Sequence, residues 1–143
     1  MRSGLAALAT MLAMAALSGC SDSGPSIDRI ENAWVRAADS SATTAGYFTF
    51  YNNAKGPYYI VAATGLLCDD IQLHETVQDG AVTRMQEITR LLVPAGGKVE
   101  FKPGGNHAML IGLRQKLVAG QMTRYTLLLE NGGTIEIEAE VRE

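Results

Sequence analysis

Residues 122–141 read MTRYTLLLENGGTIEIEAEV, two runs folded about Asn131-Gly132-Gly133. In the second run Ile135, Ile137, Ala139 and Val141 fall on one side, and Glu136, Glu138 and Glu140 on the other. A period of two with one apolar side is the pattern of a strand that buries one face. The Asn-Gly-Gly between the runs is hairpin chemistry. Met122–Glu130 and Thr134–Val141 are therefore expected to form strands.

The same pattern continues toward the N-terminus. His107–Leu113 reads as a strand that starts just after Pro103-Gly104-Gly105, a hard turn. Lys98–Lys102 alternates, and Pro94–Gly97 and Val118–Gln121 are loops. Val82–Ile88 and Ile71–Thr76 flank the Asp79-Gly80 turn signal. Gly46–Asn52, aromatic and β-branched, and Tyr58–Ala63 enclose a turn at Asn52–Pro57, an apparent antiparallel hairpin. Ala33–Ala37 is the first expected strand. About nine short strands with frequent turn signals and no convincing helix imply an all-β, antiparallel β-sandwich. No internal repeat or low-complexity tract interrupts it.

The chain has 143 residues, enough for one domain. With 47% hydrophobic and 19% charged residues, it can bury a core and is not disordered by composition. The net charge is −3 and no basic run occurs, so nucleic acid is not an expected partner.

Residues 1–19 read as a leader. Arg2 supplies a positive start, and the apolar run that follows is too short to span a bilayer as a stable helix. The run ends in Leu17-Ser18-Gly19-Cys20, which resembles the lipobox of bacterial lipoproteins. That resemblance implies cleavage before Cys20, lipidation of that cysteine and anchorage to a membrane in the periplasm or cell envelope. Residues 20–26 then form the lipidated cysteine and a polar tether, and 27–143 the domain. Cys68 is the only other cysteine, so the domain has no internal disulfide. A small buried apolar role suits it better than a ligand role.

Chemistry gathers between His74 and Met109. The chain's only histidines, His74 and His107, lie there together with Met85 and Met109. On a strand, His107 and Met109 project from one face and can reach one ion. Imidazole and thioether donors form a soft, neutral set that suits Cu(I) better than a hard cation. Zinc would more usually take thiolates, carboxylates or more histidines. A blue-copper electron carrier needs a cysteine near His107 and Met109, and none is there. The bland alternative is a surface histidine or a core-filling methionine, the role assigned to Met122. It would require both histidines and two of the domain's three methionines to fall into this pattern by accident.

The spacing from His74 through Met85 to His107-Ala108-Met109 resembles the H-x10-M-x21-H-x-M motif of the periplasmic copper chaperones called PCuAC. Trp34-Val35-Arg36, Ala45-Gly46-Tyr47-Phe48, Pro103-Gly104-Gly105, Met109-Leu110 and Gly132-Gly133-Thr134 match the family's flanks, so the resemblance covers about Ile27 to Val141. It implies a cupredoxin-like sandwich holding one Cu(I) per domain through His74, Met85, His107 and Met109. The implied recipient is the CuA centre of cytochrome c oxidase, alongside a Sco-type partner.

Two departures from the family stand out. Glu75 occupies the place where some relatives add a methionine, and no His- and Met-rich tail follows that could hold Cu(II). No catalytic triad, nucleotide-binding glycine loop or carboxylate pair is recognisable, so an enzyme is not expected. A copper store or buffer, or a metal-free envelope binding module, remains the competing reading.

Overall fold

The computed structural model describes residues 28–143. The expected leader (1–19), Cys20 and the tether to residue 26 lie outside the described residues. Every regular element among the described residues is a strand. They are β1 (Arg29–Arg36), β2 (Thr44–Tyr51), β3 (Tyr58–Thr64), β4 (Cys68–Asp79), β5 (Val82–Glu87), β6 (Leu91–Val93), β7 (Lys98–Phe101), β8 (His107–Leu113), β9 (Met122–Leu129) and β10 (Thr134–Arg142). The all-β expectation holds. The three-residue strand β6 is an addition, because LLV is too short to show a period.

Hydrogen bonding links the strands in the order β5-β4-β8-β2-β1-β10-β9-β3-β6, with β7 pairing β2 off this path. Pairing is antiparallel except between β1 and β10, where Trp34 lies opposite Glu140 in parallel register. The sheet is therefore mixed. The expected hairpin of β2 with β3 does not form. β2 pairs with β1, β7 and β8, whereas β3 pairs with β6 and β9. The Asn52–Pro57 turn carries the chain from one half of the sheet to the other instead of folding it back on its neighbour. Buried Asn52 fixes that crossing: its side-chain amide donates to the carbonyls of Gly56 and Val93, and its oxygen accepts from the Ala54 amide.

The path folds over so that inner faces from both halves share one core. Phe48, Phe50, Leu73 and Leu110 come from one side, and Tyr125, Leu127, Ile137 and Ile60 from the other. Phe48 stacks on Phe101 and meets Tyr125 edge-on, with centroids 6.3 Å apart. The two halves approach closely at Gly46, where a Cβ would lie 2.8 Å from the Tyr125 hydroxyl. Only glycine fits there without displacing the ring below.

In β10 the alternation read from sequence is the alternation observed, with Ile137, Ala139 and Val141 buried and Glu136 and Glu138 exposed. Met122 departs from expectation. It begins β9 on the face away from the core, opposite Glu140, and is 58% exposed.

A bulge between Glu31 and Trp34 shifts the register of β1 against β2, and Asn32 takes a positive φ of 52° there. The extra residue turns Val35 into the core and leaves Trp34 on the outer face beside Tyr47, with ring centroids 4.5 Å apart.

Candidate metal centre

β4 is the long strand next to the sheet edge, lying between edge strand β5 and strand β8. Residues 71 and 73 of β4 and residues 108 and 110 of β8 point into the core. Alternation then sends Gln72, His74 and Thr76 of β4, and His107 and Met109 of β8, to the outer face.

Register brings these residues together. His74 lies directly opposite His107, and Gln72 opposite Met109. On the other side Thr76 lies opposite Met85, and His74 opposite Glu87. Cross-strand partners share a face, so all four expected metal-binding residues project from one face along the diagonal Met85, His74, His107, Met109. The four residues therefore occupy the face of the sheet near its edge.

The turn before β8 sets its start. Gly104 adopts a φ of 80°, and the amide of Gly105 donates to the Lys102 carbonyl. Gly105 then presents its own carbonyl 3.0 Å from His107 Nδ1. A carbonyl can only accept, so Nδ1 carries a proton, and in the neutral ring Nε2 keeps its lone pair. His107 is 5% exposed, and its Nε2 is buried with no hydrogen-bond partner. His74 is half-buried. Its Nε2 lies 3.2 Å from the side-chain oxygen of Gln72, and its Nδ1 is likewise buried and unpartnered.

Unsatisfied buried polar atoms are costly and uncommon in folded proteins. Here two of them sit on facing imidazoles whose centroids are 5.8 Å apart at 84°. Metal–imidazole bonds are about 2 Å long, so two rings sharing one ion have centroids roughly 5–6 Å apart. The spacing and the two free lone pairs fit an ion held between the rings.

The thioethers differ in setting. Met109 is half-buried on β8, whereas Met85 is 63% exposed on β5, where every residue is exposed. Among the described residues no three His, Cys, Asp or Glu side chains gather where they could hold a metal. Beside the two imidazoles, the soft donors on this face are the thioethers of Met85 and Met109.

Cys68 lies outside this grouping. It pairs with Leu113 at the far end of β4, and six residues of strand span about 20 Å. Its buried thiol lies 3.3 Å from the Asp70 carbonyl, and burial pushes its pKa up. Both features suit the apolar role expected from sequence. Two neighbours of the site were not among the expected residues, Gln72 and the Gly105 carbonyl. The spacing of Gln72, two residues before His74 on a strand, already places it on the histidine's face.

The chain matches the LpqE-like lipoprotein family over residues 29–141. It is 36% identical over 116 residues to Lxx21020 of Leifsonia xyli subsp. xyli, which carries a lipoprotein name; the match covers 80% of this chain and 69% of that protein. Among solved structures, the Cu(I) form of DR1885 from Deinococcus radiodurans is 28% identical with a TM-score of 0.63, covering 85% of this chain and 81% of that one. The apo PCuAC domain from PmoF1 is 26% identical with a TM-score of 0.66, covering 80% and 92%. With the PCuAC-type, cupredoxin-like fold expected from its motif and a family match across nearly all the described strands, this chain belongs to the LpqE-like family.

Proposed function

We propose that the protein is an extracytoplasmic copper chaperone that carries one Cu(I) on His74, Met85, His107 and Met109. The observation that carries this reading is the pair of buried, unpartnered imidazole nitrogens on facing rings, flanked on the same face by two methionines. Cu(I) favours such neutral nitrogen and thioether donors. Thioethers also suit an oxidising compartment, where paired thiols would be lost to disulfides. The likeness to a structure named for its Cu(I) form supports the choice of metal.

Copper is cargo in this reading. The histidine pair anchors it, and an incoming thiolate or imidazole displaces one thioether at a time. No covalent bond of a substrate is made or broken, so the protein is not an enzyme. The proposed recipient is the CuA centre of cytochrome c oxidase, with a Sco-type protein as a further partner. Lipidation at Cys20 would hold the domain on an envelope membrane, in keeping with the lipoprotein name of its relative.

The test is an anaerobic titration of the purified protein with Cu(I) against a coloured chelator of known affinity. It is run beside the double variant His107→Ala, Met109→Ala. One tightly held Cu(I) that the variant loses supports the proposal. Equal, weak binding by both proteins overturns it.

A further inference from the structure

We infer that Gln72 is a positioning residue of the metal centre: with Asp70 holding its amide, it fixes the tautomer of His74 so that Nδ1 of His74 and Nε2 of His107 receive the ion. The inference rests on the proposed copper-binding role of the two histidines.

Asp70, Gln72 and His74 occupy alternate positions on β4, all away from the core. Gln72 Nε2 donates to Asp70 Oδ2 at 3.0 Å. An ionised carboxylate accepts and does not donate, so the nitrogen end of the amide must face Asp70. The oxygen end is left facing His74, 3.2 Å from Nε2. That oxygen is also only an acceptor, so Nε2 of the neutral ring carries the proton and Nδ1 keeps the lone pair. His74 Nδ1 is the atom that is buried without a partner.

On the facing ring the Gly105 carbonyl does the same work at the other type of nitrogen, fixing the proton on Nδ1 and freeing Nε2. The ion is therefore offered two unlike nitrogens, each selected by an acceptor behind its ring. One selector is backbone, fixed by the turn before β8. The other is a side chain, and a mutation can remove it. Hydrogen bonds behind ligating histidines set ring orientation and basicity, and their loss typically lowers metal affinity about 10–100-fold.

The test reads the metal-free protein first. Long-range proton–nitrogen NMR correlations, recorded at about pH 8 where the ordinary imidazole is neutral, assign the protonated nitrogen of each ring. The expected result is Nε2–H for His74 and Nδ1–H for His107. In Gln72→Leu, His74 loses the bias that the Gln72 oxygen adds to the ordinary preference for Nε2–H, so its Nδ1–H form becomes measurably populated, and His107 keeps its own tautomer. Gln72→Glu retains an acceptor oxygen and should restore Nε2–H. A Cu(I) competition titration then shows the Leu variant weaker by about 10–100-fold, with the thermal midpoint little changed.

Nδ1–H on His74 in the native protein, or an unaltered tautomer in the Leu variant, overturns the inference. A shifted tautomer with undiminished Cu(I) affinity also overturns it. If the native protein holds no Cu(I), the chaperone proposal and the positioning role both fall, while the NMR assignment still reports the hydrogen bond.

Discussion

The seam between β4 and β8 and the edge strand β5 supply donors to one face, yet they are built in opposite ways. Both seam strands are hydrogen-bonded on two sides, and each seam histidine has one ring nitrogen beside an oxygen acceptor and the other buried. β5 pairs on one side only, and Met85 stands 63% exposed on it. A flexible thioether on an open edge loses more rotamer freedom on binding than a half-buried one, so it contributes less net affinity. The difference assigns separate tasks. In the proposed function the seam would retain the metal, and the edge is where an incoming ligand would first take over.

The largest expected effect lies at the seam. His107→Ala should weaken Cu(I) by more than the roughly 100-fold upper end for a supporting residue, read by chelator competition. A loss smaller than that of Met85→Ala would reverse the assignment of tasks. Gly46→Ala probes the support beneath the seam, because Gly46 pairs with Ala108 and sits over the Tyr125 hydroxyl. Overpacking there should cost about 1–3 kcal/mol, measured by denaturant unfolding. Tyr125→Phe in the same background should recover part of that loss, since it removes the atom in the way. Alone it should leave stability equal or higher, because the hydroxyl is buried without a partner.

Smaller effects belong to the edge. Met85→Ala should lower Cu(I) affinity by about tenfold, below the range for the seam. It should move stability by no more than about 0.5 kcal/mol, as exposed positions do, and should speed release to a competing thiol. Slower release would place the exit elsewhere.

The smallest effect is at the far end of β4. Burial raises the Cys68 pKa, so the folded protein releases this proton at higher pH than the unfolded chain does. The stabilisation is full below the unfolded value, near 8.5, and is lost as pH rises through the folded value. Iodoacetamide at pH 8 should therefore label Cys68 only when denaturant opens the fold, as mass spectrometry would show.

Local pattern carried the strands themselves. His107–Leu113 matches β8 at both ends, and β10 extends one residue past its expected limit. Pairing was less legible, because it is a long-range property. Tyr58–Ala63 follows a turn after β2 and reads as its hairpin partner, although it pairs with β9 and β6. At the site, strand alternation alone aligned His107 with Met109. The rung that sets His74 against His107 depends on a register no local pattern states. The exposure of Met122 escaped for a related reason, since a methionine at the start of a strand carries no mark of the face it takes.

The parallel pairing of β1 with β10 has a consequence for the order of assembly. The strands that meet there come from opposite ends of the described chain, Trp34 beside Glu140. A chain supplied from its N-terminus brings out β4, β5 and β8 well before β10. The face bearing His74, Met85, His107 and Met109 is thus complete in sequence by residue 109, while the sheet still lacks the strand that joins its two halves. Until that strand arrives, β1 and β9 each present an open edge, so the interval between making the metal face and sealing the sheet is when a partner that protects strands would matter most.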